Sequence, residues 1–243
     1  GNHQLHGVAG LLEATVMMPE VPVAREWLEH ARSLILEHQK REIRADGFQF
    51  ERASHYHKLD IVNYFRIYRL AALNDIDLGP DYAARFKQMF TAMVALATPD
   101  RSLPHLHDGQ GPYRPQFVTQ ASGDSQQVAS NDVAELQEPE FGRFMALGAA
   151  LFGDPEFKYF ATPELPAEFY WFLSDTDRQE YASLPSVEPA AASVALPESG
   201  YFVMRSARGT RGRYLLVDAW EALNTPDHSH GGVFGLMVAS DCA

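Results

Sequence analysis

The chain has 243 residues, of which 46% are hydrophobic, and it carries a formal net charge of −12. This length and hydrophobic content allow a sizeable core in one or two domains, and no apolar run is long enough to cross a bilayer. The acidic balance excludes a general nucleic-acid binder, so an anionic ligand must be met by a local positive site. Cys242 is the only cysteine, which excludes an intramolecular disulfide.

The first part of the chain has apolar residues at helical spacing. The pattern predicts four helices joined by short turns, ending near Met18, Ala45, Leu73 and Ala97, and two more at 141–152 and 168–173. Helices of this length joined by short turns are typical of stacked antiparallel pairs. The stretch 98–139 is rich in Pro, Gly, Ser, Gln and Asp, which predicts a binding loop or a disordered insert.

Beyond an Ala-, Pro- and Ser-rich stretch, the apolar period changes to two. The pattern predicts three strands, at 201–206, 213–218 and 233–239. We therefore predict a helical domain at 1–184, a linker at 185–198 and an antiparallel sheet domain at 199–243.

Residues 46–57 place two carboxylates, a guanidinium, two imidazoles and a phenol between two predicted helices. Tyr56, flanked by His55 and His57, forms an acid/base set that can work near neutral pH once neighbours lower the phenol pKa from about 10. The alternative is a Tyr packed at a helix start with its hydroxyl in water. Arg52 could supply part of the positive charge near Tyr56, although a salt bridge at the helix start is its more ordinary role.

The histidines form a second pattern, since six of the ten lie in three His-X-His pairs. The pairs are His55/His57, His105/His107 and His228/His230. On a strand, residues i and i+2 point to the same face, so such a pair can hold one metal or one substrate group. All three pairs lie in predicted loops or at element edges, where functional residues concentrate. The predicted substrate-binding residues are Arg52, His55, His57, His105 and His107.

Several stretches resemble the heparinase II/III-like polysaccharide lyases, in that family's order along the chain. They are Asn2-His3 with the following Gly7-Val-Ala-Gly-Leu-Leu and Met-Pro-Glu20, the stretch 46–57, the strands 199–206 and 214–218, and His228-Ser-His230. The resemblance implies an α+β multidomain fold, in which an incomplete (α/α) toroid of helical hairpins is followed by the start of an antiparallel β-sandwich. It also implies a fragment lacking both ends, and a periplasmic or secreted protein whose signal peptide is not visible in this chain.

The resemblance further implies β-elimination on a uronic-acid-containing polysaccharide, an anionic partner. Residue by residue, Asn2 and His3 would neutralise the substrate carboxylate, and Tyr56 would be the catalytic Tyr. His228 would complete the site from the sheet side. His230 would be a ligand of a structural zinc ion, in a site left incomplete because the next acidic ligand would fall beyond this chain. A pair of substrate-facing imidazoles with no ion is the alternative.

The sequence departs from the family pattern after His230. Gly231-Gly232-Val-Phe stands where the family usually has an Ala-Asp-like pair and a Ser-Phe strand. The alternative to a lyase is therefore a non-catalytic relative that keeps the family's binding cleft and binds a glycan without turnover. The acidic net charge also disfavours a densely sulfated substrate, because long-range repulsion would slow its approach at low salt.

Overall fold

The computed structural model describes residues 1–109, 137–209, 211–220, 228–230 and 234–240. Helices come first along the chain, and a four-stranded antiparallel sheet follows them. Most of the predicted insert at 98–139 lies outside the described residues. Among the helices of this described part, none has the length and apolar character that crossing a membrane requires.

The described part contains seven α-helices and one 3-10 helix. The α-helices are α1 (Asn2–Met17), α2 (Ala24–Glu42), α3 (Ser54–Leu73), α4 (Tyr82–Leu96), α5 (Gln137–Phe152), α6 (Pro155–Phe160) and α7 (Asp175–Ser183). The first five confirm the sequence prediction. The helix predicted at 168–173 is a short 3-10 turn, Ala167–Trp171, and α6 and α7 were not predicted.

The helices share one apolar core, built from the faces that the helical spacing marked. Leu5 and Leu12 of α1, Phe65 of α3, Phe90 of α4 and Phe144 of α5 are all buried in it. Helix α1 packs against both α2 and α3, and α5 packs against α6. Burying such residues contributes about 1.5–3 kcal/mol for each large apolar side chain, so this core is the main source of stability for the helical part.

The sheet is a simple meander. Its strands are β1 (Val194–Leu196), β2 (Tyr201–Arg205), β3 (Tyr214–Asp218) and β4 (Gly235–Ala239), paired in that order and all antiparallel. Strand β1 lies inside the range predicted as a linker, and three residues are too few to show a period of two. The domain boundaries at 184 and 199 stay predictions.

The alternation along β2 and β3 turns one apolar face toward the helices. Tyr201, Val203, Tyr214 and Leu216 are buried on that face and share a second core cluster with Phe48, Leu96 and Leu106. The outward-facing residues of the sheet are also largely apolar: Phe202, Met204, Leu236 and Val238 are exposed.

Polar contacts fix the sheet on the helices. The Tyr214 hydroxyl donates to the Leu96 carbonyl at 2.8 Å, at the carboxyl end of α4. Arg205 and Arg208 donate to carbonyls of the same helix end, which satisfies groups that have no partner within the helix. In the connection between α2 and α3, the Asp46 carboxylate accepts a hydrogen bond from the Ser199 hydroxyl at 2.8 Å. The last contact holds Asp46, the first residue of the segment 46–57, beside the residues that lead into β2.

Candidate active site

The candidate site is centred on Tyr56, in the first turn of α3, and His228, in the described segment before β4. Their ring centroids lie 3.5 Å apart with an interplanar angle of 10°, so the two rings are stacked face to face. Both residues are partly exposed, which leaves them accessible to a ligand. The structure therefore brings together two of the four predicted catalytic residues, one from the helical part and one from the sheet part.

His228 is held from the helical side by Asp108, a residue that the sequence analysis did not single out. The Nδ1 atom of His228 lies 2.8 Å from Oδ2 of Asp108, and the Asp108 amide donates to the His228 carbonyl at 3.1 Å. The hydrogen bond with His228 lowers the pKa of the Asp108 carboxyl. No local pattern could have identified Asp108, because its partner lies far along the chain.

The surroundings of Tyr56 correct one expectation from the sequence. Burial raises the pKa of the Tyr56 phenol, and the carboxylates of Asp108 and Glu51 raise it further. The prediction that neighbours lower this pKa is wrong, because the charges that act on Tyr56 come from acidic residues. The phenol therefore keeps its proton at neutral pH and is suited to donating it.

The flanking histidines point away from each other. Residues i and i+2 of a helix are about 200° apart around its axis, whereas the same spacing on a strand gives one face. His57 is fully buried, with the Gln49 amide on its Nδ1 atom and the Met89 carbonyl at its Nε2 atom. The structure thus places His57 in the core rather than at the candidate site. His55 is half-buried beside the Tyr56 ring, and burial followed by the charge of Lys58 lowers its pKa.

Arg52, predicted to contact substrate, is buried between the helices and the sheet. Its guanidinium forms an ion pair with Asp218 of β3, and its Nε atom donates to the Ser199 carbonyl at 2.8 Å. It also lies over the Tyr201 ring, 4.9 Å from the centroid. The structure therefore supports the salt bridge as the role of Arg52, although its partner lies on a strand and not at the helix start.

The two histidines of the pair His105/His107 also have different surroundings, since His107 is held by structural contacts and His105 is exposed. The His107 Nδ1 atom accepts from the His230 amide at 3.0 Å, and its Nε2 atom lies 3.1 Å from Oδ2 of Asp218. That second contact lowers the pKa of Asp218, although its angle departs from that of an ideal hydrogen bond. His105 is exposed and lines a cavity together with the buried ion pair of Lys58 and Glu140.

Asn2 and His3 stand at the start of α1, the first partly exposed and the second exposed. The adjacent Gly1 lies beside Glu51, since a Cβ atom added there would come 3.4 Å from Oε1 of Glu51. Burial raises the pKa of Glu51, while the charge of His228 acts to lower it. Glu51 therefore lies between the start of α1 and the candidate site. No described hydrogen bond joins the side chains of Asn2 and His3 to the other candidate residues.

His230, the predicted zinc ligand, is exposed and stacks loosely on His107 with ring centroids 6.5 Å apart. Within the described ranges, no group of three or more His, Cys, Asp or Glu side chains is arranged to hold a metal ion. Structural zinc in proteins is almost always held by four ligands. The described residues therefore do not make up a zinc site by themselves, and metal binding by His230 stays a prediction.

Comparison with known proteins gives one consistent result. A family model described as the heparinase II/III N-terminus matches residues 1–131. A curated heparin-sulfate lyase from Pedobacter heparinus is 24% identical over 217 residues, which cover 83% of this chain and 29% of the relative. The chain thus spans less than a third of the length of the curated relative it matches.

Solved structures agree with that result. A heparinase III with methylated lysines superposes with a TM-score of 0.70 at 20% identity, covering 100% of this chain and 31% of that one. The heparan sulfate lyase HepC from Pedobacter heparinus gives a TM-score of 0.68 at 20% identity, covering 99% and 31%. At these identities the likeness establishes a heparinase III-like fold.

Proposed function

Because the chain belongs to the heparinase II/III family, we propose that it carries catalytic residues of a polysaccharide lyase acting by β-elimination. The proposed substrate is an anionic polysaccharide that contains uronic acid, in keeping with the heparin-sulfate lyase among its relatives. The observation that carries the proposal is the stacking of Tyr56 on His228. A phenol from the helical part and an imidazole from the sheet part, in contact with each other, are groups that can move protons near neutral pH.

The proposed reaction needs one base and one acid. The C–H bond beside the uronate carboxylate and the C–O bond to the leaving sugar break, and a carbon–carbon double bond forms. We assign the acid to Tyr56, because its raised pKa keeps the phenol protonated and able to donate to the leaving oxygen. The first proton goes to a base at the same site, a role that we assign to the His228 imidazole because it stacks on Tyr56. This division of roles follows from the surroundings of the phenol.

Charge on the substrate carboxylate increases as the first proton leaves. Hydrogen-bond donors directed at the place where charge develops are among the largest contributions to catalysis. Asn2 and His3 are proposed to supply these donors from the start of α1, which lies beside Glu51 at the edge of the candidate site. His55 and His105 are proposed to contact neighbouring sugars, since both are at least partly exposed.

We also propose that the helices contribute to an (α/α) toroid and that the sheet begins an antiparallel β-sandwich. The exposed apolar outer face of β2 and β4 supports the sandwich, because a second sheet packs on such a face. A polysaccharide is too large to cross a membrane unaided, which supports a periplasmic or secreted location.

The test is turnover of a panel of uronates by the full-length protein: alginate, heparan sulfate, chondroitin sulfate and hyaluronan. Each elimination creates a conjugated double bond, so ultraviolet absorbance rises with every bond cleaved. On the substrate that is turned over, Tyr56→Phe should lower kcat by about a hundredfold to ten-thousandfold. Loss of one phenolic oxygen should change the free energy of unfolding by about 1 kcal/mol or less.

Tyr170→Phe is the matched control, since the Tyr170 ring is exposed and lies under the Arg178 guanidinium, away from the candidate site. It should keep wild-type turnover. Near wild-type turnover by Tyr56→Phe would show that the proposed mechanism is wrong. Binding of a uronate without any rise in absorbance would favour a glycan-binding protein instead.

A further inference from the structure

The segment that carries Asp108 is fixed on the same helix end that carries Tyr56. Ser54, the first residue of α3, donates from its hydroxyl to the Pro104 carbonyl at 2.5 Å and accepts from the Leu106 amide at 3.1 Å. The Ser54 amide donates in turn to the Leu106 carbonyl at 3.1 Å. Three hydrogen bonds therefore attach the segment to the beginning of α3, two residues from Tyr56.

Between this attachment and Asp108 the backbone turns sharply. His107 has φ 58°, a left-handed conformation that non-glycine residues rarely adopt. Such residues cost about 1–3 kcal/mol and persist where surrounding contacts hold them, often at functional sites. Gly109 then passes close to α3, since a Cβ atom there would come 3.0 Å from the Cβ atom of His55. The turn directs Asp108 toward His228.

The segment holds 228–230 at three points. The Asp108 carboxylate pairs with Nδ1 of His228, the Asp108 amide donates to the His228 carbonyl, and the His230 amide donates to Nδ1 of His107. Two of the three contacts are to backbone groups, so they fix the path of the chain and not only one side chain. The carboxylate contact then fixes rotation of the imidazole about its own bonds.

From these contacts we infer that Asp108 is a positioning residue, which holds the His228 imidazole against Tyr56 with its Nδ1 atom protonated and its Nε2 atom directed to the substrate. A carboxylate oxygen at 2.8 Å accepts a hydrogen bond, so the ring nitrogen facing it carries the hydrogen. In the neutral ring the lone pair then lies on Nε2. Among the described residues, none is hydrogen-bonded to that atom.

The expected effect of Asp108 on kcat rests on the proposed function, whereas its effect on the His228 tautomer does not. A base must present its lone pair to the proton that it takes, and the wrong tautomer presents an N–H group instead. For a histidine that binds a metal, loss of the residue that orients it typically lowers activity by about tenfold to a hundredfold, and we take the same range for His228. We therefore expect Asp108→Ala to lower kcat by about that factor. The KM should change much less than kcat, because in this proposal Asp108 acts through His228 and not on the substrate.

The experiment compares full-length wild-type protein with Asp108→Ala and Asp108→Asn. Asparagine keeps an oxygen that can accept from Nδ1, so it should restore part of the kcat that alanine loses. Asp100→Asn is the matched control, because Asp100 is an exposed acidic residue of the same connection and bonds locally to Ser102. It should leave kcat unchanged.

Nitrogen-15 NMR of histidine-labelled protein, without substrate, reads the His228 tautomer directly. We expect an Nδ1–H ring in the wild type and the ordinary Nε2–H preference in Asp108→Ala. An Nε2–H ring in the wild type, or an unchanged ring in Asp108→Ala, overturns the inference. If the wild type turns over no uronate, the proposed function fails, while the tautomer still decides whether Asp108 orients His228.

Discussion

His57 shows how strongly the surroundings of one residue decide its role. Its ring stacks on Phe48 with centroids 4.3 Å apart and an interplanar angle of 7°. The Gln49 amide donates to its Nδ1 atom, so the hydrogen lies on Nε2, facing the Met89 carbonyl. Burial lowers the pKa of His57 from 6.5 to about 4. The sequence predicts both His55 and His57 as substrate-binding residues. Two residues are too few to show which side of a helix faces the core, so the sequence does not distinguish them.

The lowered pKa of His57 predicts a pH-dependent stability. Below pH 6.5 the unfolded chain binds a proton at this residue, whereas the folded protein does not until pH falls to about 4. The free energy of unfolding should therefore decrease as pH falls through this window, by at most about 3 kcal/mol from His57. Denaturant titrations between pH 4.5 and 7.5 measure the slope.

His57→Gln tests the assignment of that slope. The variant should be less stable at pH 7.5, since glutamine cannot reproduce the ring stacking, and its stability should change less with pH. The exposed His30 of α2 provides the matched control, and His30→Gln should keep the wild-type slope. An unchanged slope in His57→Gln would mean that other groups cause the pH dependence.

At the scale of elements, the helical spacing of apolar residues predicts the long helices. The short helices are indicated instead by the capping residues at their starts. Helix α7 begins with a capping box, in which the Ser174 hydroxyl accepts from the Asp177 amide and the Asp177 carboxylate accepts from the Ser174 amide. That Ser-X-X-Asp pattern is readable in the sequence. Helix α6 likewise starts with Asp154 as its cap and Pro at the first position.

The candidate site was predictable only where residues carried their own chemical signal. Tyr56 and His228 stand out in the sequence through the histidines beside them, and the family resemblance adds a role for each, but Asp108 and Glu51 act through contacts that form only in the fold. The expectation for Arg52 was incomplete for the same reason, since its partner Asp218 lies on β3. Local sequence cannot show which distant carboxylate meets a buried charge.

Ser54 gives a prediction at this scale, because it joins the start of α3 to the segment 104–109. Ser54→Ala leaves the buried Pro104 carbonyl without its donor and the Leu106 amide without its acceptor. Stability should fall by about 1–3 kcal/mol, and amide exchange in the segment should become faster. Hydrogen-exchange mass spectrometry of peptides covering 103–109 measures the second effect.

The exposed Ser33 of α2 is the control, and Ser33→Ala should leave both stability and exchange nearly unchanged. If exchange of the Leu106 amide is the same in Ser54→Ala as in the wild type, the segment is held by other contacts.

At the scale of the whole molecule, buried polar contacts fix the helices to the sheet. Burial alone would raise the pKa of Asp218, but the contact with His107 and the charge of Arg52 hold it below its ordinary value. The Tyr201 hydroxyl donates to the Arg52 carbonyl at 2.7 Å, on the same inner face of the sheet. Asp218 therefore contacts both Arg52 and His107, which in turn contacts the segment that carries His228.

We expect the ion pair of Arg52 and Asp218 to contribute to the free energy of unfolding only while both members are present. Their side chains are only 2% and 8% exposed, so Asp218→Ala leaves a buried guanidinium without its carboxylate. Removing one partner of a buried pair typically costs about 3–5 kcal/mol. Adding Arg52→Met removes the stranded charge, so the double variant should lose less than the sum of the single losses in denaturant titrations. Glu37→Ala, at an exposed pair with Arg41, should cost about 1 kcal/mol or less. Additive losses in the double variant would show that Arg52 and Asp218 stabilise the contact between helices and sheet independently of their pairing.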